Sequence, residues 1–165
     1  MKKLIMVADP AGVGKTAVCR ELFSNTNGIA WLDADWCWMV NPYPGKTAEQ
    51  KKYAEAAFGY ILRGYLDDIN TETILFSWLM HSDFMFDSVT CHLTEKNYEF
   101  IKIVLICSDR EIYVDRMKRD GRREEQIAEV VDMQRFVQLS DVNVVDVANM
   151  TVKEAAARIL DIAHI

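Results

Sequence analysis

Leu4-Ile5-Met6-Val7-Ala8-Asp9-Pro10-Ala11-Gly12-Val13-Gly14-Lys15-Thr16 is the stretch from which the rest of the chain is read. Five apolar residues form a short buried strand, and a glycine-rich turn then runs into a helix beginning at Lys15. The pattern G-x-x-x-x-G-K-[ST] fits at every fixed position except the first, where Asp9 stands in place of glycine. Each position has a physical reason. Gly12 and Gly14 let the backbone curl so that successive N–H groups face a polyphosphate. The helix presents its positive N-terminus to the same anion. Lys15 adds a point charge, and the Thr16 hydroxyl is a ligand for Mg²⁺. Ala11, Val13 and Ala17 complete the expected cradle. The plain alternative is a glycine turn carrying Lys-Thr by chance; the strand before it and the helix after it supply the context the motif requires. At Asp9 a carboxylate repels polyphosphate unless it points away or meets the metal.

Outward from this loop, apolar runs alternate with helical patterns. Strands are expected at Leu4–Ala8, Gly28–Leu32, Thr73–Trp78, Ile101–Cys107 and Val142–Val147. Near-continuous apolar strands imply burial on both faces, as in a parallel sheet. Helices are expected at Lys15–Ser24, Thr47–Asp68, Asp109–Arg119 with Asp109 as N-cap, Glu124–Leu139, and after Thr151. The second carries Tyr53, Ala56, Ala57, Tyr60, Ile61 and Gly64 on a helical period. Thr151 and Glu154 form a capping box, ahead of a stripe of Val152, Ala155, Ala156, Ile159, Leu160 and Ala163. Asn41-Pro42-Tyr43-Pro44-Gly45 reads as a loop. Strand alternating with helix predicts a doubly wound α/β fold over residues 1–165 as one domain.

Composition narrows the function. The chain has 165 residues, 19 basic against 25 acidic, for a net charge of −6. An acidic chain is ill suited to sequence-independent nucleic-acid binding, and no apolar run is long enough to cross a bilayer. The N-terminal apolar run stops at Asp9-Pro10, too soon for an export signal. Cys19, Cys37, Cys91 and Cys107 form no C-x-x-C pair, so a zinc site is not expected. Reduced thiols in a cytoplasmic protein, mostly buried, are expected instead.

Leu32-Asp33-Ala34-Asp35 ends the second strand, and Arg116-Met117-Lys118-Arg119-Asp120-Gly121-Arg122-Arg123 follows the fourth strand and its helix. With the phosphate loop, and in this order, these motifs resemble the P-loop small-molecule kinases, the nucleoside-monophosphate-kinase-like group that includes shikimate, gluconate and adenylate kinases. The resemblance implies a five-stranded parallel sheet ordered 2-3-1-4-5 with helices on both faces. It further implies an acceptor-binding segment at about 36–71 and an arginine-rich lid at about 116–126. By the same resemblance Asp33 helps hold Mg²⁺ through water and Asp35 faces the acceptor hydroxyl. Arg116 lies near adenine, Arg119 with Arg122 or Arg123 reaches the phosphates, and Asn149 lines the base pocket or caps the last helix. The chemistry also stands without the family. Ligands of open α/β sheets sit beyond the carboxyl ends of strands, where a carboxylate can take a hydroxyl proton and arginines stabilise charge in phosphoryl transfer. A turn-capping acid pair and a solvated basic helix end are the plain alternatives.

Strand three ends in Leu75-Phe76-Ser77-Trp78 rather than in a hydrophobic residue followed by Asp-Glu, which argues against an AAA-type motor or hydrolase, and no N-K-x-D guanine reader occurs. Metal duty is therefore expected of Thr16 and Asp33. The acceptor is expected among Asp35, Trp36, Trp38, Trp78 and Arg63, the rings offering flat stacking surfaces. Lys46, Lys51 and Lys52 keep a nucleotide acceptor open, and His81 is weighed as a plain loop residue. The expected activity is transfer of the ATP γ-phosphate to a small-molecule hydroxyl, with Mg²⁺, by a monomer or small homo-oligomer without nucleic-acid or membrane partners. A nucleoside or nucleoside-monophosphate kinase, and a nucleotide-binding protein with little catalysis, are the alternatives.

Overall fold

Strands without polar faces need helices on both sides, and the chain supplies them in alternation. A computed structural model describes residues 1–8, 10–39, 47–133 and 139–165. The elements are β1 (Lys2–Ala8), α1 (Lys15–Asn25), β2 (Ile29–Asp33), a 3-10 turn (Ala34–Trp38), α2 (Ala48–Asp67), β3 (Thr73–Trp78), α3 (Asp83–Thr90), a short 3-10 turn (Cys91–Leu93), β4 (Tyr98–Ile106), α4 (Arg110–Arg119), α5 (Glu124–Met133), β5 (Asn143–Asp146) and α6 (Val152–Ala163). The five strands pair in parallel in the order β2-β3-β1-β4-β5. This is the P-loop kinase fold, with the strand order that the resemblance implied.

Period-two alternation divides each strand between two cores. Ile5 and Val7 of β1, Leu75 of β3 and Ile103 and Leu105 of β4 join the core beneath α1, α4 and α6. Leu4, Met6 and Ala8, with Ile74, Phe76 and Trp78, join the core beneath α2 and α3. Each fully buried aliphatic or phenyl side chain contributes about 1.5–3 kcal/mol relative to exposure, so these two layers hold the sheet between its helices. No helix of the described residues is long and apolar enough to cross a membrane.

Three elements differ from the sequence expectation. Helix α2 buries Ala54, Phe58, Gly59, Leu62 and Leu66, whereas Tyr53 and Tyr60 of the expected apolar set are 68% and 82% exposed. The i, i+4 row of Phe58, Leu62 and Leu66 carries hydrocarbon without a hydroxyl, while a tyrosine can leave its polar tip in water. Helix α3 lacks a readable period: it buries only Phe86 and Val89, a single i, i+3 pair. The helix starting at Glu124 does not include Leu139; residues 134–138, like the Asn41–Gly45 loop, Lys46 and Asp9, lie outside the described residues. The helix ends were more legible. Thr47 with Gln50 and Thr151 with Glu154 form reciprocal capping boxes, and the Asp109 carboxylate accepts the N–H groups of Glu111 and Ile112.

Candidate active site

The turn after β1 is left-handed at Gly12 (φ 90°) and Gly14 (φ 109°). Gly14 is the N-cap of α1; no side chain caps the helix and no acid stands in its first turn. The positive helix end is thus left to whatever anion the loop receives. The space where a Gly14 Cβ would project is clear of atoms to 4 Å. Gly12 is crowded instead: a Cβ there would stand 2.6 Å from Met117 Cγ. The loop therefore rests on α4, and the buried Tyr113 hydroxyl adds a hydrogen bond of 2.7 Å to the Ala11 carbonyl.

In front of the loop lies a cavity of about 730 Å³ at the carboxyl ends of β1, β2 and β3. Ala11, Gly12, Gly14, Lys15, Thr16 and Ala17 line it from the loop and α1, Asp35 from the turn after β2, Trp78 from the end of β3, and Arg122 from the segment after α4. Lys15 is buried and Thr16 exposed. The three motifs, more than a hundred residues apart at their extremes, thus meet in one place. A second cavity of about 310 Å³ lies behind the loop, lined by Gly12, Val13, Gly14, Arg116, Val147 and Met150 among others.

Several expected site residues stand elsewhere. Asp33 is buried and does not line the cavity; its Oδ1 accepts the Asp35 N–H at 3.0 Å and caps the 3-10 turn. Burial first, and the Asp33 charge second, push the Cys37 thiol pKa up. Trp38 belongs to the core, edge-on to Phe58 at 6.2 Å. Trp36 is 52% exposed and packs on Trp31 at 4.8 Å, outside both cavities. Arg63 is turned to the far end of α2, where Nε donates to the His92 carbonyl at 2.6 Å and the guanidinium stands 3.8 Å from Glu95. Arg119 and Arg123 are exposed and line neither cavity. Asn149 is exposed too; Val147 and Met150 form the wall expected of it, and Thr151 caps α6. Arg116 lines the second cavity, its guanidinium held by the Val147 and Ala148 carbonyls at 2.9 and 3.3 Å. Beside it, burial works to raise the Asp146 pKa, but hydrogen bonds from Ser108 and Ala148, with the Arg116 charge, leave it lowered.

Arg20, Leu79, Met85 and Asp120 also line the large cavity, as does Lys51. Arg20 stands four residues after Thr16, so helical spacing alone puts both on one face of α1. Leu79, Met85 and Asp120 carry no such signal in the sequence.

Residues 5–136 match the model of a family described as an AAA domain. The chain belongs to the AAA domain family. The missing acid at the end of β3 therefore does not place the chain outside this family, although the position itself holds Ser77 and Trp78, with Ser77 accepting the Trp31 Nε1–H at 2.9 Å. No curated protein matches the sequence. Among solved structures, this AAA domain is similar to a tunicamycin resistance protein of Deinococcus radiodurans, at 15% identity over 98% of this chain and 95% of that one, with a TM-score of 0.72. It is similar to a sugar kinase from Janibacter sp. HTCC2649, at 17% identity over 100% and 96%, TM-score 0.70. A gluconokinase from Sinorhizobium meliloti 1021 aligns at 17% identity over 98% and 92%, TM-score 0.67. The resemblance to P-loop small-molecule kinases thus holds at the level of the fold.

Proposed function

We propose that the chain is an ATP-dependent phosphotransferase that passes the γ-phosphate to a hydroxyl of a small molecule. The observation that carries this reading is the single cavity lined by Lys15 and Thr16 of the phosphate loop, Asp35 and Arg122. A nucleotide binder needs only the first two. A carboxylate opposite a phosphate loop, with an arginine beside it, fits group transfer to a second molecule. Kinases among the structural neighbours support the same reading.

The residues present fit Mg²⁺ and ATP. Mg²⁺ keeps waters and takes few protein ligands besides phosphate oxygens; Thr16 offers a hydroxyl, and no cluster of three His, Cys, Asp or Glu exists among the described residues. Magnesium-bound ATP supplies the transferable phosphoryl group. The uncapped α1 N-terminus and the loop N–H groups bind the phosphates. Lys15 holds charge beside them, and Arg122 stabilises the charge that builds during transfer. Asp35 orients the acceptor hydroxyl and takes its proton. The second cavity, with apolar Val147 and Met150, receives the base. Residues at about 36–71 hold the acceptor and those at about 116–126 act as the lid. No disulfide joins cysteines among the described residues, in keeping with a cytoplasmic enzyme.

The test is acceptor-dependent ADP release with Mg²⁺ across a panel of small hydroxyl compounds and nucleoside monophosphates, for the wild type and Lys15→Ala. The wild type should turn over a hydroxyl compound, and Lys15→Ala should lose about 10²–10³ in rate with an unchanged circular dichroism spectrum. Turnover of nucleoside monophosphates alone would establish the nucleotide-kinase alternative. Equal rates in a folded Lys15→Ala protein would refute the phosphate-loop assignment.

A further inference from the structure

We infer that the acceptor carries a negatively charged group, a carboxylate or a phosphate, held by Arg20 and Lys51 beside Asp35. The inference rests on the phosphotransferase reading and names the substrate class for it.

Among the described residues the large cavity is lined by four cations, Lys15, Arg20, Lys51 and Arg122, against two carboxylates, Asp35 and Asp120. The chain as a whole has a net charge of −6, so this surplus of positive charge is local to the cavity. Lys15 and Arg122 are accounted for by the nucleotide phosphates. Arg20 and Lys51 are not. Arg20 lies beyond the helix end that faces the phosphates, one turn past Thr16. Its face of α1 continues to Phe23, whose ring lies 6.2 Å from Trp31 of β2. That face therefore looks toward β2, and it is the turn after β2 that carries Asp35. Lys51 comes from the first turns of α2, a separate element, where its backbone N–H bonds the Thr47 carbonyl as part of the helix. Neither side chain has a hydrogen bond or ion pair to any described residue, and both are exposed. Both therefore remain open to a ligand.

Arg63 does not supply this charge, because it is tied to His92 and Glu95. An acceptor pocket with no cation would suit a neutral sugar or alcohol. One with a guanidinium and an ammonium from two elements, next to a base, suits a hydroxyl compound with an anionic end. The anion anchors the molecule while its hydroxyl meets Asp35. Arginine forms a fork that matches either a carboxylate or a phosphate, and lysine adds a point charge.

The experiment has two separate readouts. In the first, the full chain is saturated with AMP-PNP and Mg²⁺ and titrated with inorganic phosphate by calorimetry. The loaded wild type should bind phosphate; Arg20→Gln and Lys51→Gln should lose it, Arg20→Lys should retain part of it, and AMP-PNP affinity should be unchanged in all. In the second, ADP release is compared for glucitol, gluconate and glucitol 6-phosphate, which share one carbon chain. An anionic member should exceed glucitol in kcat/KM, and the Gln variants should raise its KM about 10- to 100-fold. Preference for gluconate or for glucitol 6-phosphate then says which anion is used. No second anion on the AMP-PNP-loaded wild type, equal phosphate binding by the Gln variants, weakened AMP-PNP binding in Arg20→Gln, or glucitol used as well as its anions would each overturn the inference. If AMP-PNP itself does not bind, the phosphotransferase reading has failed and this inference goes with it.

Discussion

Asp33 and Asp35 are one residue apart, and the fold gives them opposite surroundings. Asp35 opens to the cavity, while Asp33 is buried with its carboxylate on the Asp35 N–H. Asp35→Asn keeps the shape but cannot take a proton, so it should cost about 10²–10⁴ in acceptor phosphorylation and leave AMP-PNP affinity unchanged. Asp33→Asn should act through the turn instead: a lower melting temperature and a loss of rate, without a changed Mg²⁺ requirement. A Mg²⁺ titration of ADP release for both variants decides this, and a shifted requirement in Asp33→Asn would return that residue to the metal. Single residues separate within the segment after α4 as well. Arg122 lines the cavity and Arg123 does not. Arg122→Ala should lower kcat more than it weakens ATP binding, by about 10³ or more if it acts as arginine fingers do, while Arg123→Ala should leave kcat near that of the wild type. If Arg123→Ala carries the larger loss in kcat, the two roles are reversed. The resemblance implied that Arg122 or Arg123 reaches the phosphates and left both open, because neighbours in an irregular segment point to different sides only once its path is known.

At the scale of elements, the decisive contact is the phosphate loop on α4. Gly12 and Gly14 both hold positive φ, and an L-residue in that backbone costs about 1–2 kcal/mol. They differ in what lies beyond. A methyl at Gly14 enters clear space, while one at Gly12 runs into Met117, which is fully buried. Overpacking adds about 1–3 kcal/mol. Gly12→Ala should therefore be the less stable of the two in urea unfolding, and Gly14→Ala should lose nucleotide affinity with the smaller loss of stability. Equal unfolding midpoints would show that Met117 simply moves aside. The capping boxes of α2 and α6 and the Asp109 cap could be read directly, because a cap is a local hydrogen bond between residues three apart. The face that α2 buries could not, because it carries apolar residues all round and the sheet selects the side without hydroxyls.

For the whole molecule, Asp83 ties together parts that the chain order keeps apart. At the start of α3 its carboxylate accepts from Lys102 of β4 at 2.8 Å and from the hydroxyl and N–H of Ser140, ahead of β5. The Lys102 hydrogen bond, then those from Ser140, lower its pKa from an ordinary 3.8 to about 2. A carboxylate with a lowered folded pKa stabilises the fold above its unfolded value and ceases to do so as pH falls through the folded value. The contribution of this tie is thus complete above about pH 4 and lost by about pH 2. Asp68, Asp146 and Glu154 are also lowered and act in the wild type and in a variant alike. Asp83→Asn should flatten the fall in urea-unfolding stability from pH 4 to pH 2, and superimposable slopes would remove the tie from the acid response. None of this was legible in the sequence, since Asp83, Lys102 and Ser140 form no motif. The sequence by itself determined the strands, the alternation that makes the sheet parallel, the phosphate loop and the helix caps. Those depend on local spacing, backbone freedom and hydrophobic period, which neighbouring residues carry with them. Only the tertiary structure decided that Asp35 and not Asp33 opens to the cavity, that Trp38 and Arg63 stand away from it, and that Arg20 and Lys51 line it. The direction a side chain faces across a cavity is set by the packing of other elements around it, and adjacent residues do not record that packing.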